Sequence, residues 1–191
     1  MGCRQVILVR PGRTEFDLQR RVHGSLELPL CPEGLKDVEH IIAKLDATEI
    51  NMILTCDVDP ARSTAEMIGE ALGVPVKICD GLVNLNQGLW EGMGVEELEQ
   101  KYPSTVHAWE DQPESVCPPQ GESLSKARER LEKTLKKHLK AKACMAIVAC
   151  EPTASLIKRI ILNDDTPLPL TNECNQQHSI EIIPLNQDAL A

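Results

Sequence analysis

Aromatic side chains are almost missing: Phe16, Trp90, Tyr102 and Trp109 make up 2% of the 191 residues. That leaves few platforms on which bases or sugar rings could stack. Basic residues are also outnumbered, 20 Lys and Arg against 29 Asp and Glu, for a formal net charge of −9. A phosphate backbone needs a basic footprint, so nucleic acid is excluded as the main partner. No apolar run approaches the roughly 20 residues of a membrane-spanning helix, and no charged-then-apolar leader opens the chain. Met1-Gly2-Cys3 hints at an acylation signal, but Val6 stands where such a signal wants Ser or Thr. No membrane partner is expected, and the expected location is the cytoplasm. Cysteine is plentiful but unpatterned: the eight at positions 3, 31, 56, 79, 117, 144, 150 and 174 form no CxxC and have no clustered His. They read as reduced thiols, mostly small core fillers, with no metal and no cofactor implied.

What is present is an ordinary apolar share of 42%, necessarily aliphatic, in a length that suits one domain over residues 1–191. Gln5 to Arg10 reads as a buried strand stopped by Pro11-Gly12. From Gly34 to Leu45, Leu35, Val38, Ile41, Ile42 and Leu45 recur at helical spacing. Met52 to Thr55 is a second strand. A helix follows, with Asp59 expected as N-cap, Pro60 at its first position, a stripe of Ala61, Ala65, Ile68 and Leu72, and Gly73 as its stop. Val74 to Cys79 reads as a third strand, and Gly81 to Gly94 as a loop too long to be idle. Glu122 to Lys140 is the longest predicted helix, its Lys133, Lys136, Lys137 and Lys140 forming a solvated face. Met145 to Ala149 is a fourth strand, Thr153 to Leu162 a helix, and His178 to Pro184 an edge strand. Strands alternating with helices predict a three-layer α/β/α sandwich with a mainly parallel sheet. Ligands of such sheets lie beyond the carboxyl ends of the strands, here Arg10-Pro11-Gly12, Thr55-Cys56-Asp57 and Cys150-Glu151.

Several segments together resemble the histidine phosphatase superfamily, with its phosphoglycerate mutase-like fold. They are Leu8-Val9-Arg10-Pro11-Gly12-Arg13-Thr14-Glu15, then Gly24, Pro29-Leu30 and Gly34, then Pro60-Ala61-Arg62-Ser63-Thr64-Ala65. The likeness continues through Leu82, Asn84, Gly88 and Trp90-Glu91-Gly92 to Gly121-Glu122-Ser123-Leu124, covering nearly the whole chain in order. The resemblance implies an anion site gripped by Arg10, Arg62 and the backbone of Gly12, able to take phosphate or a phosphorylated small molecule. It also exposes departures. Pro11 stands where the family carries its phosphorylated histidine, and Cys150-Glu151 where its second active-site histidine is followed by glycine. Asn84 stands at the position of the proton-donating carboxylate, and Asp17 at that of an asparagine.

These departures bear on chemistry. A phosphohistidine route needs an imidazole lone pair aimed at phosphorus, and the Pro11 nitrogen is a tertiary amide without one. Asn84 cannot give a proton to a leaving alkoxide near neutral pH. No residue stands out as a catalytic group. Three readings stay open: a pseudophosphatase that binds an anion or a protein partner without turnover; a weak phosphatase or mutase-like enzyme using water or Cys150; and a structural or assembly protein with a relic pocket. Arg62, a cation in the first turn of a helix, opposes the dipole and points to a nearby anion. Cys150 reads as a packed structural cysteine, or as a replacement nucleophile whose thiolate the two arginines would favour. Glu151 could pair with Arg10 or Arg62 as an internal anion, or point to solvent from a helix start. The histidines, 23, 40, 107, 138 and 178, read as surface or capping residues, with His23 placed to reach the pocket.

Overall fold

The computed structural model describes residues 5–139, 144–172 and 179–185. In chain order it runs β1 (Gln5–Val9), α1 (Glu15–Leu18), α2 (Pro32–Leu45), β2 (Met52–Thr55), α3 (Ala61–Leu72) and β3 (Val76–Ile78). Then come α4 (Val95–Lys101), α5 (Pro103–Asp111), α6 (Leu124–His138), β4 (Met145–Val148), α7 (Thr153–Leu162) and β5 (Ile180–Pro184). The five strands form one sheet in the order β3-β2-β4-β1-β5. β1 pairs parallel with β4, β4 with β2 and β2 with β3, while β5 runs antiparallel along β1 at the edge. His178 and Lys140, at the ends of two expected elements, lie outside the described residues.

The sheet grows in one direction from β1 through β2 to β3, then turns back through β4. Right-handed crossovers therefore place α2 and α3 on one face and α6 and α7 on the other, and within each pair the helices pack together. The middle strands are covered on both sides, so β1 and β4 read as unbroken apolar runs, Val6 to Val9 and Met145 to Val148 all being buried. α6 contributes Leu124, Ala127, Leu131 and Leu135 to the core. Two of the scarce aromatics meet there, Trp90 and Trp109 edge to face with centroids 6.1 Å apart.

Several local expectations shift. α3 begins one residue late: Pro60, not Asp59, is the N-cap. Asp59 still serves the helix start, its Oδ1 accepting from the Ser63 N–H at 3.1 Å and the Ser63 hydroxyl at 2.7 Å. Gly73 ends α3 in the left-handed conformation, φ 64°. Leu35 is 45% exposed, because α2 turns only Val38, Ile41 and Leu45 inward with Gly34. The Gly81–Gly94 stretch holds two single turns of tight helix, Asp80–Leu82 and Gly88–Trp90, with Leu82, Leu85 and Trp90 buried beneath it.

Candidate functional site

The parallel strands deliver three loop starts to one end of the sheet, with β4 between β1 and β2. Arg10 follows β1 directly. Its Nε lies 2.5 Å from Glu151 Oε1 and its Nη1 2.7 Å from Glu181 Oε1. Glu151, at the start of α7, is 2% exposed, so it does not reach solvent. Each of its polar groups has a partner: Oε2 accepts from the Ser155 N–H at 3.0 Å, and its own N–H donates to Asn172 Oδ1 at 2.8 Å. Its carbonyl accepts from Asn84 Nδ2 at 2.8 Å. Asn172 also donates through Nδ2 to Asp17 Oδ1 at 2.9 Å, tying the first loop to the last. Glu181 is shared with Lys158 Nζ at 2.6 Å. Burial works against its charge, but Lys158 and Arg10 together hold the Glu181 carboxyl below the usual range.

Asn84 is buried and spans three segments. Nδ2 donates to Gly24 O at 2.7 Å and to Glu151 O, while Oδ1 accepts from the Thr153 N–H at 3.2 Å. Both amide hydrogens are thus spent on carbonyl oxygens, a task that no carboxylate could perform.

Arg62 enters from the first turn of α3. The anions beside it are the protein's own: Asp57 Oδ1 at 3.3 Å, Asp59 Oδ2 at 3.1 Å and Glu27 Oε1 at 3.3 Å. The hydrogen bond to Asp57, then Asp59, tightens its hold on its proton. The Gly12 N–H donates to Thr64 Oγ1 at 3.2 Å, inside the fold. No side chain fits at Gly12, since a Cβ would come within 2.3 Å of Gly34 O. Asp17 belongs to a capping box, its Oδ2 accepting from the Thr14 N–H at 2.6 Å and the Thr14 hydroxyl at 2.7 Å.

Cys150 is a packed, buried cysteine, and its thiol is not drawn toward thiolate by the arginines. Burial pushes its pKa well up, and neighbouring Cys56, Asp17 and Glu151 add to that. His23 is no surface residue: it is 2% exposed, with Nε2 2.8 Å from Leu26 O. Its Nδ1, and both polar ends of the fully buried Gln87 amide, have no partner among the described residues. His138 packs its Nε2 3.5 Å from Cys79 Sγ at the end of α6. Sequence reasoning missed Asn172 and Glu181. Neither lies in a recognisable motif, and only the fold brings Glu181 to Arg10 and Asn172 to Glu151. Among the described residues no three His, Cys, Asp or Glu side chains gather as a metal site, and no helix is long and apolar enough to cross a membrane.

The strand order, the parallel pairing and an arginine at the end of the first strand define a phosphoglycerate mutase-like α/β protein. The chain belongs to the histidine phosphatase superfamily (branch 1), whose sequence model matches residues 6–189. It is 30% identical over 138 residues to phosphoserine phosphatase 1 of Hydrogenobacter thermophilus, covering 70% of this chain and 65% of that one. It is 31% identical over 135 residues to a probable phosphoglycerate mutase, GpmB, of Klebsiella pneumoniae, covering 69% and 61%. The chain thus spans just under two thirds of these relatives' length. Among solved structures, a mycobacterial glucosyl-3-phosphoglycerate phosphatase in complex with VO3 superposes with TM-score 0.78 at 20% identity, covering 85% of this chain and 82% of that one. Bacillus stearothermophilus YhfR gives TM-score 0.77 at 22% identity, covering 96% and 92%.

Proposed function

We propose that this protein is a pseudophosphatase: a histidine phosphatase fold that keeps its arginine-lined anion site, occupies that site with its own carboxylates, and serves through binding or regulation. The observation that carries the reading is the buried ion pair between Arg10 and Glu151. A carboxylate matches a guanidinium much as a phosphate does, so Glu151 acts as an internal anion where the relatives, named as phosphatases and mutases, take phosphorylated substrates. Arg62, more open to solvent, also meets carboxylates of its own chain, Glu27, Asp57 and Asp59.

The chemistry points the same way. Pro11 offers no lone pair, Asn84 spends its amide on three backbone groups, and Cys150 is held as a neutral thiol by burial. None of these three is a group that attacks phosphorus or protonates a leaving alkoxide. Phosphate release from p-nitrophenyl phosphate and 3-phosphoglycerate tests this reading. The expected rate is that of the uncatalysed control, in wild type and in Cys150→Ser alike. Turnover above the control that disappears in Arg10→Gln would overturn it in favour of a weak phosphatase.

A further inference from the structure

We propose that His23 makes the closure of this site acid-sensitive: protonating its ring loosens Glu151 from Arg10 and opens the arginine to an anion. The inference rests on the self-occupied site proposed above.

The ring's present state follows from its one partner. A carbonyl oxygen only accepts, so the Nε2 that faces Leu26 O carries the proton. Nδ1 then presents a bare lone pair in a buried setting, with no partner among the described residues. A second proton would enter at Nδ1, and the new N–H would need an acceptor at once. The charged groups acting on the ring are Asp17, from α1, and Glu91, from the loop after the Gly88–Trp90 turn. Glu91 Oε1 is already crowded, accepting from the Ser25 N–H at 2.8 Å, the Ser25 hydroxyl at 2.9 Å and the Gln87 N–H at 3.0 Å. Asp17 Oδ2 holds Thr14, whereas Oδ1 takes the single long-range bond from Asn172. Asp17 Oδ1 and the other oxygen of Glu91, Oε2, are the acceptors left for the new N–H to draw on, and a pull on Asp17 Oδ1 is felt by Asn172.

That pull leads straight to the site. Asn172 freed from Asp17 loses the anchor that steadies its hold on the Glu151 N–H. A second route starts one residue along: Gly24 O and Glu151 O share the two hydrogens of the Asn84 amide, so a shift at residues 23–24 also pulls on Glu151. Both routes end on the backbone of Glu151, which carries the carboxylate paired with Arg10. Burial lowers the ring's proton affinity below the ordinary 6.5, which keeps it neutral and the site shut near neutral pH.

The test uses inorganic sulfate, a dianion at every pH involved. Melting temperature is compared in sulfate and in chloride of equal ionic strength at about pH 7.5 and at the lower pH where imidazole nitrogen NMR shows the His23 ring charged. Wild type should gain nothing at the higher pH and several degrees at the lower. His23→Gln should gain nothing at either, and Glu151→Ala should gain at both. A response of His23→Gln at low pH equal to that of wild type overturns the proposal, since the carboxylates alone would then open the site. A wild type silent at low pH while Glu151→Ala responds also overturns it but leaves the self-occupied site standing. A Glu151→Ala that responds at neither pH removes that site and the proposal together. Should His23→Gln fail to fold, imidazole nitrogen NMR on wild type decides. The Nδ1 protonation midpoint must coincide with the onset of the sulfate response, and a separation of the two overturns the proposal.

Discussion

At the scale of single residues, the site is an exchange of charge partners. Arg10 and Arg62 are the charged residues of the expected anion grip, and both are engaged by carboxylates of the same chain. Asn84 is a clamp between three segments. Asn84→Asp should not restore proton donation. It should cost about 3 kcal/mol in urea unfolding, because a carboxylate would face the Gly24 and Glu151 carbonyl oxygens it cannot bond. An unchanged midpoint would remove the clamp from the account. His23 supplies a pH prediction. Its folded-state proton affinity is lowered by burial, so as pH falls through the ordinary 6.5 the unfolded chain takes up a proton that the folded chain resists. Stability should therefore be level above that pH and decline below it, by at most about 1.4 kcal/mol per pH unit from this group. Unfolding free energies measured across the range should flatten there in His23→Gln.

At the scale of elements, the loop from Arg10 to Thr14 is set by its seat on α2. Gly34 at the start of α2 lies so close that a Cβ would stand 2.0 Å from Arg13 O. Arg13 itself grips Asp37 of α2, Nε to Oδ2 at 2.6 Å. Gly34→Ala should thus cost at least about 3 kcal/mol and move the loop that carries Arg10; a melting temperature within a degree of wild type would contradict this seating. Most elements were legible in the sequence because their apolar residues repeat at one period. β1 and β4 are continuous runs, α3 and α6 carry clean stripes, and Gly73 marks an end. α4 and α5 were not legible: α4 buries Leu98 alone and α5 only Val106 and Trp109, too few to show a period. In β5 the sequence does not say which face is inside. Ile183 is buried while Ile182 is 58% exposed, and Glu181 turns toward α7, where Lys158 meets it.

At the scale of the whole molecule, the fold was legible because separate motifs fell in one order along nearly the entire chain. The site was legible only in part. Arg10 announced itself by matching a family pattern, and Glu151 and Asn84 by standing where that pattern breaks. Asn172 and Glu181 come from late in the chain: the antiparallel return of β5 along β1 brings Glu181 to Arg10, and Asn172 meets the Glu151 N–H and Asp17. The net charge of −9 fits a surface that would not itself draw anions in, so any anion response must come from the arginines.

The most direct measurement is therefore the neutral-pH melting temperature of wild type, Glu151→Ala and the double variant Glu151→Ala/Arg10→Gln, each in sulfate and in chloride of matched ionic strength. A self-occupied site leaves wild type unmoved, raises Glu151→Ala by several degrees, and returns the double variant to no response. A wild type that rises as much as Glu151→Ala, or a Glu151→Ala that sulfate does not stabilise, would contradict it.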